Sequence, residues 1–310
     1  MAYKFLEIIG YYRIKKRVKH RLFCRKLKKE DASRKEEVRK AIDTMQGYQL
    51  RKKEDESDII VSLTSYGARI SDTLPYALYS LLCQTRKPNR IIVWIDNENW
   101  NEDNLPTILK KLERLGVEFG FVEDIRSYKK LIPALKMFPD NVIITVDDDL
   151  YYNPHTIEWL TDAYYASDKR TVFGTWAYQS QSSDGHYLPY SLWRDHKDEK
   201  GSGEYSLIGC GGILYPPHIF DKEILNSDIF MKLAPTADDL WFWVMEKRQG
   251  ISVQLIPNAK YDLHTTVNRI DVWDPAREGS LYFLNEINGA NDIQLMQLLS
   301  YYNITPTQVF

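Results

Sequence analysis

Three consecutive aspartates, Asp147, Asp148 and Asp149, close the apolar run Ile143-Ile144-Thr145-Val146. Three adjacent carboxylates repel one another, and each is better placed in water or beside a cation. A hard divalent ion with oxygen ligands relieves that repulsion. Side chains two apart on an extended chain point the same way, so Asp147 and Asp149 can face one site while Asp148 faces another. Helix capping is the alternative use. Yet Asn153-Pro154 already supplies a cap and a first-turn proline for a helix over 154–165, so the triplet is not needed there. A second acidic pair lies in Pro235-Thr236-Ala237-Asp238-Asp239-Leu240-Trp241-Phe242-Trp243. These acids open an aromatic helix, where Thr236 or Asp238 could cap and carboxylates suit the N-terminus. They could equally serve as a general base, because a hydroxyl is a poor nucleophile until a positioned carboxylate takes its proton.

Other candidates are weaker one by one. Ser65-Tyr66-Gly67-Ala68-Arg69 is a polar loop, and the planar fork of Arg69 suits phosphate, or a plain salt bridge. Gly209-Cys210-Gly211-Gly212 either lets backbone approach a ligand closely or makes a tight turn between strands. A lone histidine such as His264 is usually structural or exposed. Trp176, Tyr178 and Trp193 have the side chains for stacking on sugars.

The elements that must hold these residues read as an alternation. Apolar runs at 58–64, 90–95, 117–122 and 141–146 predict strands. Helical spacing predicts helices over 74–84, 106–115 and 128–138 between them, with Asn104 as a cap for the second and Pro133 interrupting or starting the third. Strand–helix alternation argues for a mainly parallel α/β sheet. In open sheets of this kind ligands gather at the carboxyl ends of the strands. Those ends carry Thr64 to Arg69, Asp96 and the triplet. Further helices are predicted over 154–165, 238–248 and 292–302.

The chain has 310 residues, 44% of them hydrophobic and 13% aromatic, which is enough for one large domain with a real core. The net charge of −2 conceals a split. Residues 1–53 hold 18 Lys and Arg against 6 Asp and Glu, while the remainder is acidic. This end predicts a basic helical arm, with residues 51–57 as a charged linker. The arm suits an anionic membrane surface, each basic side chain contributing roughly 1 kcal/mol, with Phe5, Leu6, Ile8, Ile9 and Tyr12 dipping in. It also suits packing on its own domain or on a partner subunit. The acidic body lacks any nucleic-acid motif, so no nucleic-acid partner is expected. Three widely spaced cysteines give neither a zinc spacing nor a disulfide framework, and no stretch of about 18 apolar residues predicts a membrane span. The expected location is cytoplasmic, either free or peripheral on the inner face of the cell membrane.

Taken together, the motifs resemble those of the GT-A glycosyltransferases of the bacterial surface-polysaccharide type. The mark of that family is an Asp-any-Asp motif after a central strand, here Asp147-Asp148-Asp149. It gains weight from its order after Leu63-Thr64-Ser65-Tyr66, Asp96 and Lys129-Lys130 and before Asp238-Asp239 and His264. The resemblance spans about 58–264. It implies a Rossmann-type mixed sheet flanked by helices, with residues 1–57 as arm and linker and 58–310 as the catalytic domain. It implies nucleotide-sugar contacts from Thr64, Tyr66, Arg69, Asp96, Lys130, Asp147, Asp148, Gly211 and Gly212. Mn2+ or Mg2+ would sit on Asp147, Asp149 and His264, and Asp239, with Asp238 beside it, would be the base of an inverting transfer. A UDP-sugar is the favoured donor, and the acceptor would be a glycan or lipid-linked glycan in surface-polysaccharide synthesis. Two other classes stay open. A nucleotidyltransferase also uses paired carboxylates and a metal, although its Gly-rich basic loop is poorly matched by Ser65 to Arg69. A non-catalytic scaffold would keep the fold and recruit partners through the arm.

Overall fold

The computed structural model describes residues 2–45, 59–195, 204–256, 264–269, 284–285 and 288–306, with backbone alone for 2–18, 20 and 194. The charged linker 51–57, Tyr261 to Leu263, and the side chains of Phe5 to Tyr12 lie outside that description.

A seven-stranded sheet forms the centre. In chain order its strands begin with β1 (Ile59–Thr64) and β2 (Arg90–Asp96), then β3 (Val117–Val122) and β4 (Val142–Thr145). After β5 (Leu150–Tyr152), which lies outside this sheet, comes β6 (Thr171–Gly174). Short strands β7 (Ala177–Gln179), β8 (Ser182–Ser183), β9 (His186–Tyr187), β10 (Arg194–Asp195) and β11 (Tyr205–Leu207) make small side sheets. The central sheet resumes with β12 (Ile213–Tyr215) and β13 (Ser252–Leu255), and β14 (His264–Thr266) pairs with β5. The order across the sheet is β13-β6-β12-β4-β1-β2-β3. Every neighbouring pair is parallel except the two made by β12, which runs antiparallel between β4 and β6. The sheet is therefore mixed and mainly parallel.

The predicted strands and helices of the first half form close to their expected places, because their apolar periodicity matches the faces they bury. In β1, Ile59, Val61 and Leu63 face one core and Ile60 the other; β2 and β4 alternate in the same way. On the first face lie α1 (Ala2–Thr44), α3 (Leu74–Leu82), α4 (Thr107–Arg114) and α6 (Thr156–Tyr165), with the four-residue α2 (Arg69–Asp72) leading into α3. On the second lie α5 (Ile132–Met137), α7 (Ser227–Leu233), α8 (Asp238–Gln249) and the helix Ala290–Tyr302.

Local details differ from expectation where tertiary packing intervenes. The helix over 128–138 is interrupted at Pro133 as expected, but its first piece is a 3-10 turn, Arg126–Lys130, and only the second, α5, is α-helical. Asn104 does not cap α4, whose cap position is Pro106; its side chain instead bonds within the preceding loop. Helix α6 starts at Thr156, two residues late, although the Asn153 side chain accepts from the His155 N–H as a cap would. Neither Thr236 nor Asp238 caps α8; the cap position is Ala237 and Asp238 is already helical.

The basic arm is a helix, as expected. Its second half is packed onto the body: Val38 and Ile42 join the core shared by β1, β2 and β4, and Leu27 is buried. Arg21, Leu22, Phe23, Arg25, Lys28 and Lys29, further up the same helix, are exposed. Among the described residues no helix is long and apolar enough to cross a membrane.

Candidate active site

The sheet order reverses direction between β4 and β1, and the two strands are parallel neighbours with Ser62 opposite Thr145. A crevice opens outside the carboxyl ends of strands at such a switch point. The loop after β1 and the triplet after β4 are therefore forced together, and they border a cavity of about 690 Å³. A volume of that size suits a small-molecule ligand.

The triplet is held by its backbone and divided by its side chains. The hydroxyl of Tyr152 accepts from the Asp147 N–H at 2.7 Å and donates to the Cys210 carbonyl at 3.1 Å. The Asp149 carbonyl accepts from the Val267 N–H at 2.8 Å. Asp148 turns inward, only 3% exposed, and takes bonds from Ser65 Oγ at 2.5 Å and Arg69 Nη1 at 2.7 Å. Asp149 meets Arg69 Nη2 at 3.0 Å. Asp147 faces the cavity and lies 3.5 Å from Lys130 Nζ. The expected alternation thus separates Asp148 from Asp147, while Arg69 ties Asp148 to Asp149.

Lys130 is the hub on the other side. The 3-10 turn that carries it is pinned by Ser62, whose hydroxyl donates to the Lys130 carbonyl at 2.6 Å. Its buried ammonium lies 2.9 Å from Asp238, 3.4 Å from Asp239 and 3.5 Å from Asp147. Burial works against its charge, but the three carboxylates outweigh burial and hold it well above the usual lysine range. Neither adjacent lysine is simply solvated, because Lys129 is buried against Asp124.

Asp238 and Asp239 divide along α8. Asp238 is buried beneath Lys130. The side chain of Asp239 keeps a quarter of its surface open and borders the cavity. Its second oxygen accepts from the Gly209 N–H at 3.1 Å. Burial raises the Asp239 carboxyl, Lys130 opposes this, and Asp238 and Asp147 raise it further, to about 6. Five carboxylates, Asp147, Asp148, Asp149, Asp238 and Asp239, thus converge around two cations, Arg69 and Lys130. That imbalance suits a divalent cation.

Of the sequence-derived candidates, the structure brings Thr64, Tyr66, Arg69, Lys130, Asp147, Asp148, Asp238 and Asp239 to one cavity wall. It leaves others off that wall. Asp96 is buried at the end of β2, where its carboxylate accepts from the backbone and side chain of Asn99. Gly211 and Gly212 serve the turn into β12. A Cβ on Gly211 would come within 2.9 Å of the Trp176 backbone nitrogen, and Gly212 has φ +91°. Asp149 stands behind Arg69. His264 lies beside the cavity, its ring 5.4 Å from that of Trp176 and its strand paired to Tyr152. Trp176 and Tyr178 line the cavity, whereas Trp193 is core, packed 4.9 Å from Trp243.

Gly209, Tyr152 and Ser65 are further contributors that no sequence motif singles out. Gly209 is the glycine that meets the acids: a Cβ there would lie 3.0 Å from Asp239 and collide with Lys130. Its place in the glycine run was a signal, but the run did not say which glycine mattered. Tyr152 had none beyond its position three residues after the triplet.

A family model described as glycosyl transferase family 2 matches residues 60–214, half of the chain. The matched segment runs from β1 through β12, so it contains the triplet and ends before Asp238. No curated protein matches the chain. Among solved structures, glucosyl-3-phosphoglycerate synthase from Mycobacterium tuberculosis in complex with Mn2+, UDP and glucosyl-3-phosphoglycerate is 12% identical, covering 81% of this chain and 82% of its own, with a TM-score of 0.46. A cytidylyltransferase from Leptospira borgpetersenii is also 12% identical, covering 77% of this chain and 98% of its own, with a TM-score of 0.41. Likenesses this distant carry no argument about substrate or chemistry.

Proposed function

The chain belongs to glycosyl transferase family 2 and is a glycosyltransferase of the GT-A fold, and from that premise we propose that it moves a sugar from a nucleoside diphosphate to a hydroxyl of a glycan or lipid-linked glycan, with inversion. The observation that carries this reading is the pairing of a charge-imbalanced acid cluster with one acid, Asp239, that opens to the cavity and titrates near 6. A base is most useful when its pKa lies near the working pH.

A divalent metal fits the donor set chemically. Among the described residues no three His, Cys, Asp or Glu side chains converge closely enough to hold a metal ion by themselves. Mg2+ characteristically uses one or two protein carboxylates and completes its shell with substrate phosphates and water, so a partial protein set is compatible. Asp147 and Asp149 would hold it as that partial set, and His264 would join them only by leaving its place against Trp176. When bound, it would neutralise charge on the diphosphate.

The residues of the chain supply the rest. Tyr66, exposed at the loop tip, offers a face to the base of the nucleotide. Arg69 and Lys130 meet the diphosphate. Asp239 takes the proton of the acceptor hydroxyl, whose oxygen bonds to the anomeric carbon. The bond from that carbon to the diphosphate oxygen breaks, and its electron pair leaves with the nucleotide. UDP-sugar is the donor we favour. The exposed basic stretch of α1 would hold the enzyme against an anionic membrane on the cytoplasmic side, near a lipid-linked acceptor.

Calorimetric titration of UDP and GDP, with and without Mn2+, tests the core of this reading. Binding that requires both the metal and Asp147 and Asp149 is expected, and an Asp147→Ala, Asp149→Ala double variant should lose it. Metal-independent binding, or none with any nucleoside diphosphate or CMP, would overturn it. Replacing Arg21, Arg25, Lys28 and Lys29 with Gln should release the chain from anionic vesicles. Unchanged binding would remove the membrane role.

A further inference from the structure

Helix α1 reaches the triplet from outside the cavity. Asp31 accepts from the Arg269 backbone N–H at 2.9 Å and from its Nε at 2.6 Å, and Glu30 takes Nη2 at 3.0 Å. One turn on, Lys35 donates to one oxygen of Asp72 at 2.5 Å, while the other accepts from Asn268 Nδ2 at 2.7 Å. Arg34 lies over the ring of Tyr151, 3.8 Å from its centroid.

These contacts fall on the segments that carry the acid cluster. Asp72 ends α2, the single turn that begins with Arg69, and Arg69 grips Asp148 and Asp149. Asn268 and Arg269 follow Val267, whose N–H donates to the Asp149 carbonyl. Tyr151 precedes Tyr152, which holds the Asp147 N–H. A circuit therefore closes from Asp72 through Asn268, Val267, Asp149 and Arg69 back along α2 to Asp72. Lys35 is the point at which α1 fastens it, and its side chain is only 10% exposed.

We propose that Asp72 is a positioning residue of the nucleotide-sugar site, set by Lys35 of α1: it holds α2 and the segment after β14 in register so that Arg69 and Asp149 keep their places. This rests on the reading of the triplet as the donor site. With Lys35 or Asp72 removed, α2 and Val267–Arg269 lose their shared anchor. Arg69 is then free to swing from the acids, and the Val267–Asp149 bond opens more often. Outer partners of ligand-holding groups commonly change affinity by about 10–100-fold.

The test compares Lys35→Met and Asp72→Ala with Asp43→Asn. The last variant breaks another α1 ion pair, to Lys111 of α4, that is remote from the circuit. Two quantities are read in the full chain: amide hydrogen exchange at Val267, and the gain in UDP affinity on adding Mn2+. Lys35→Met and Asp72→Ala are expected to speed Val267 exchange about tenfold and to cut the metal-linked gain about tenfold. Asp43→Asn should change neither, even where its melting temperature falls as far. Equal effects in all three variants, or none in any, would overturn the proposal. If the wild-type chain binds neither CMP nor any nucleoside diphosphate, the donor-site reading falls, and Val267 exchange alone decides the positioning role.

Discussion

At Asp239, burial raises the carboxyl, Lys130 pulls it down, and Asp238 and Asp147 raise it again, leaving it at about 6. Transfer activity is therefore expected to rise with pH through about 6 as the base ionises. Asp239→Asn should lower turnover by about 10²–10⁴-fold while leaving nucleotide affinity within a few-fold. The same residue has a stability cost of opposite sign. A carboxyl whose folded pKa is raised favours the fold when protonated, so its contribution is full below about 4 and is lost as pH rises through about 6. Asp239→Asn should accordingly melt a few degrees higher than wild type at pH 7, by on the order of 1 kcal/mol. A variant that is both inactive and less stable would contradict the assignment. Gly209→Ala makes a second test at this scale. The added Cβ would push against Lys130 and Asp239, displacing the base without deleting it. Turnover is expected to fall about 10²-fold, as it does when catalytic groups move by about an ångström.

Helix α8 gathers these demands into one element. Its first turn carries Asp238 and Asp239 and its last carries Lys247 and Arg248, an arrangement that complements the helix dipole. Gly250, at φ +63°, ends it in a left-handed cap. Between the ends, Glu246 is buried, which raises its carboxyl to about 8; Lys247 lowers it and Asp239 raises it. The sign is again that of a raised acid: its contribution to stability is present below about 4.5 and lost as pH passes through about 8. Melting temperature measured from pH 6 to 9 should therefore fall in the wild type and fall less in Glu246→Gln. Parallel curves would mean that Glu246 is ionised in the fold at neutral pH.

For the whole molecule, the decisive element is α1. We propose that residues 1–57 are an arm and linker and 58–310 the catalytic unit, and the second half of α1 is packed on the body. Leu27, Val38 and Ile42 are buried, and fully burying such a side chain contributes about 1.5–3 kcal/mol. Deleting residues 1–53 would expose apolar surface beneath α1 and remove several kcal/mol, out of a total that for most proteins is about 5–15 kcal/mol. That deletion is expected to yield an unstable, aggregating chain. Deleting residues 2–18 should leave the melting temperature unchanged. Equal stability of the two truncations, measured by thermal unfolding, would show that the second half of α1 adds nothing to the fold.

The sequence by itself determined the elements whose apolar periodicity is long enough to be read. β1 to β4, α3, α4 and α8 lie close to their expected ranges, because side chains that alternate or recur at helical spacing bury only one way. It also marked the triplet, because three adjacent carboxylates closing an apolar strand call for cationic partners. Short strands such as β7 to β12 carry too few residues to show a period, and β12 found its antiparallel place between β4 and β6 only through pairing with distant chain. Partner choice was likewise a tertiary matter. Lys129 and Lys130 are identical neighbours in sequence, yet one pairs with Asp124 and the other with three acids from two separate segments. In the fold Asp96 accepts from Asn99 and Gly211 sits tight against Trp176, while Gly209 and Tyr152 reach the acids. Charge and hydrogen-bond partners are fixed by proximity in space, and only the closed fold sets which distant segments meet.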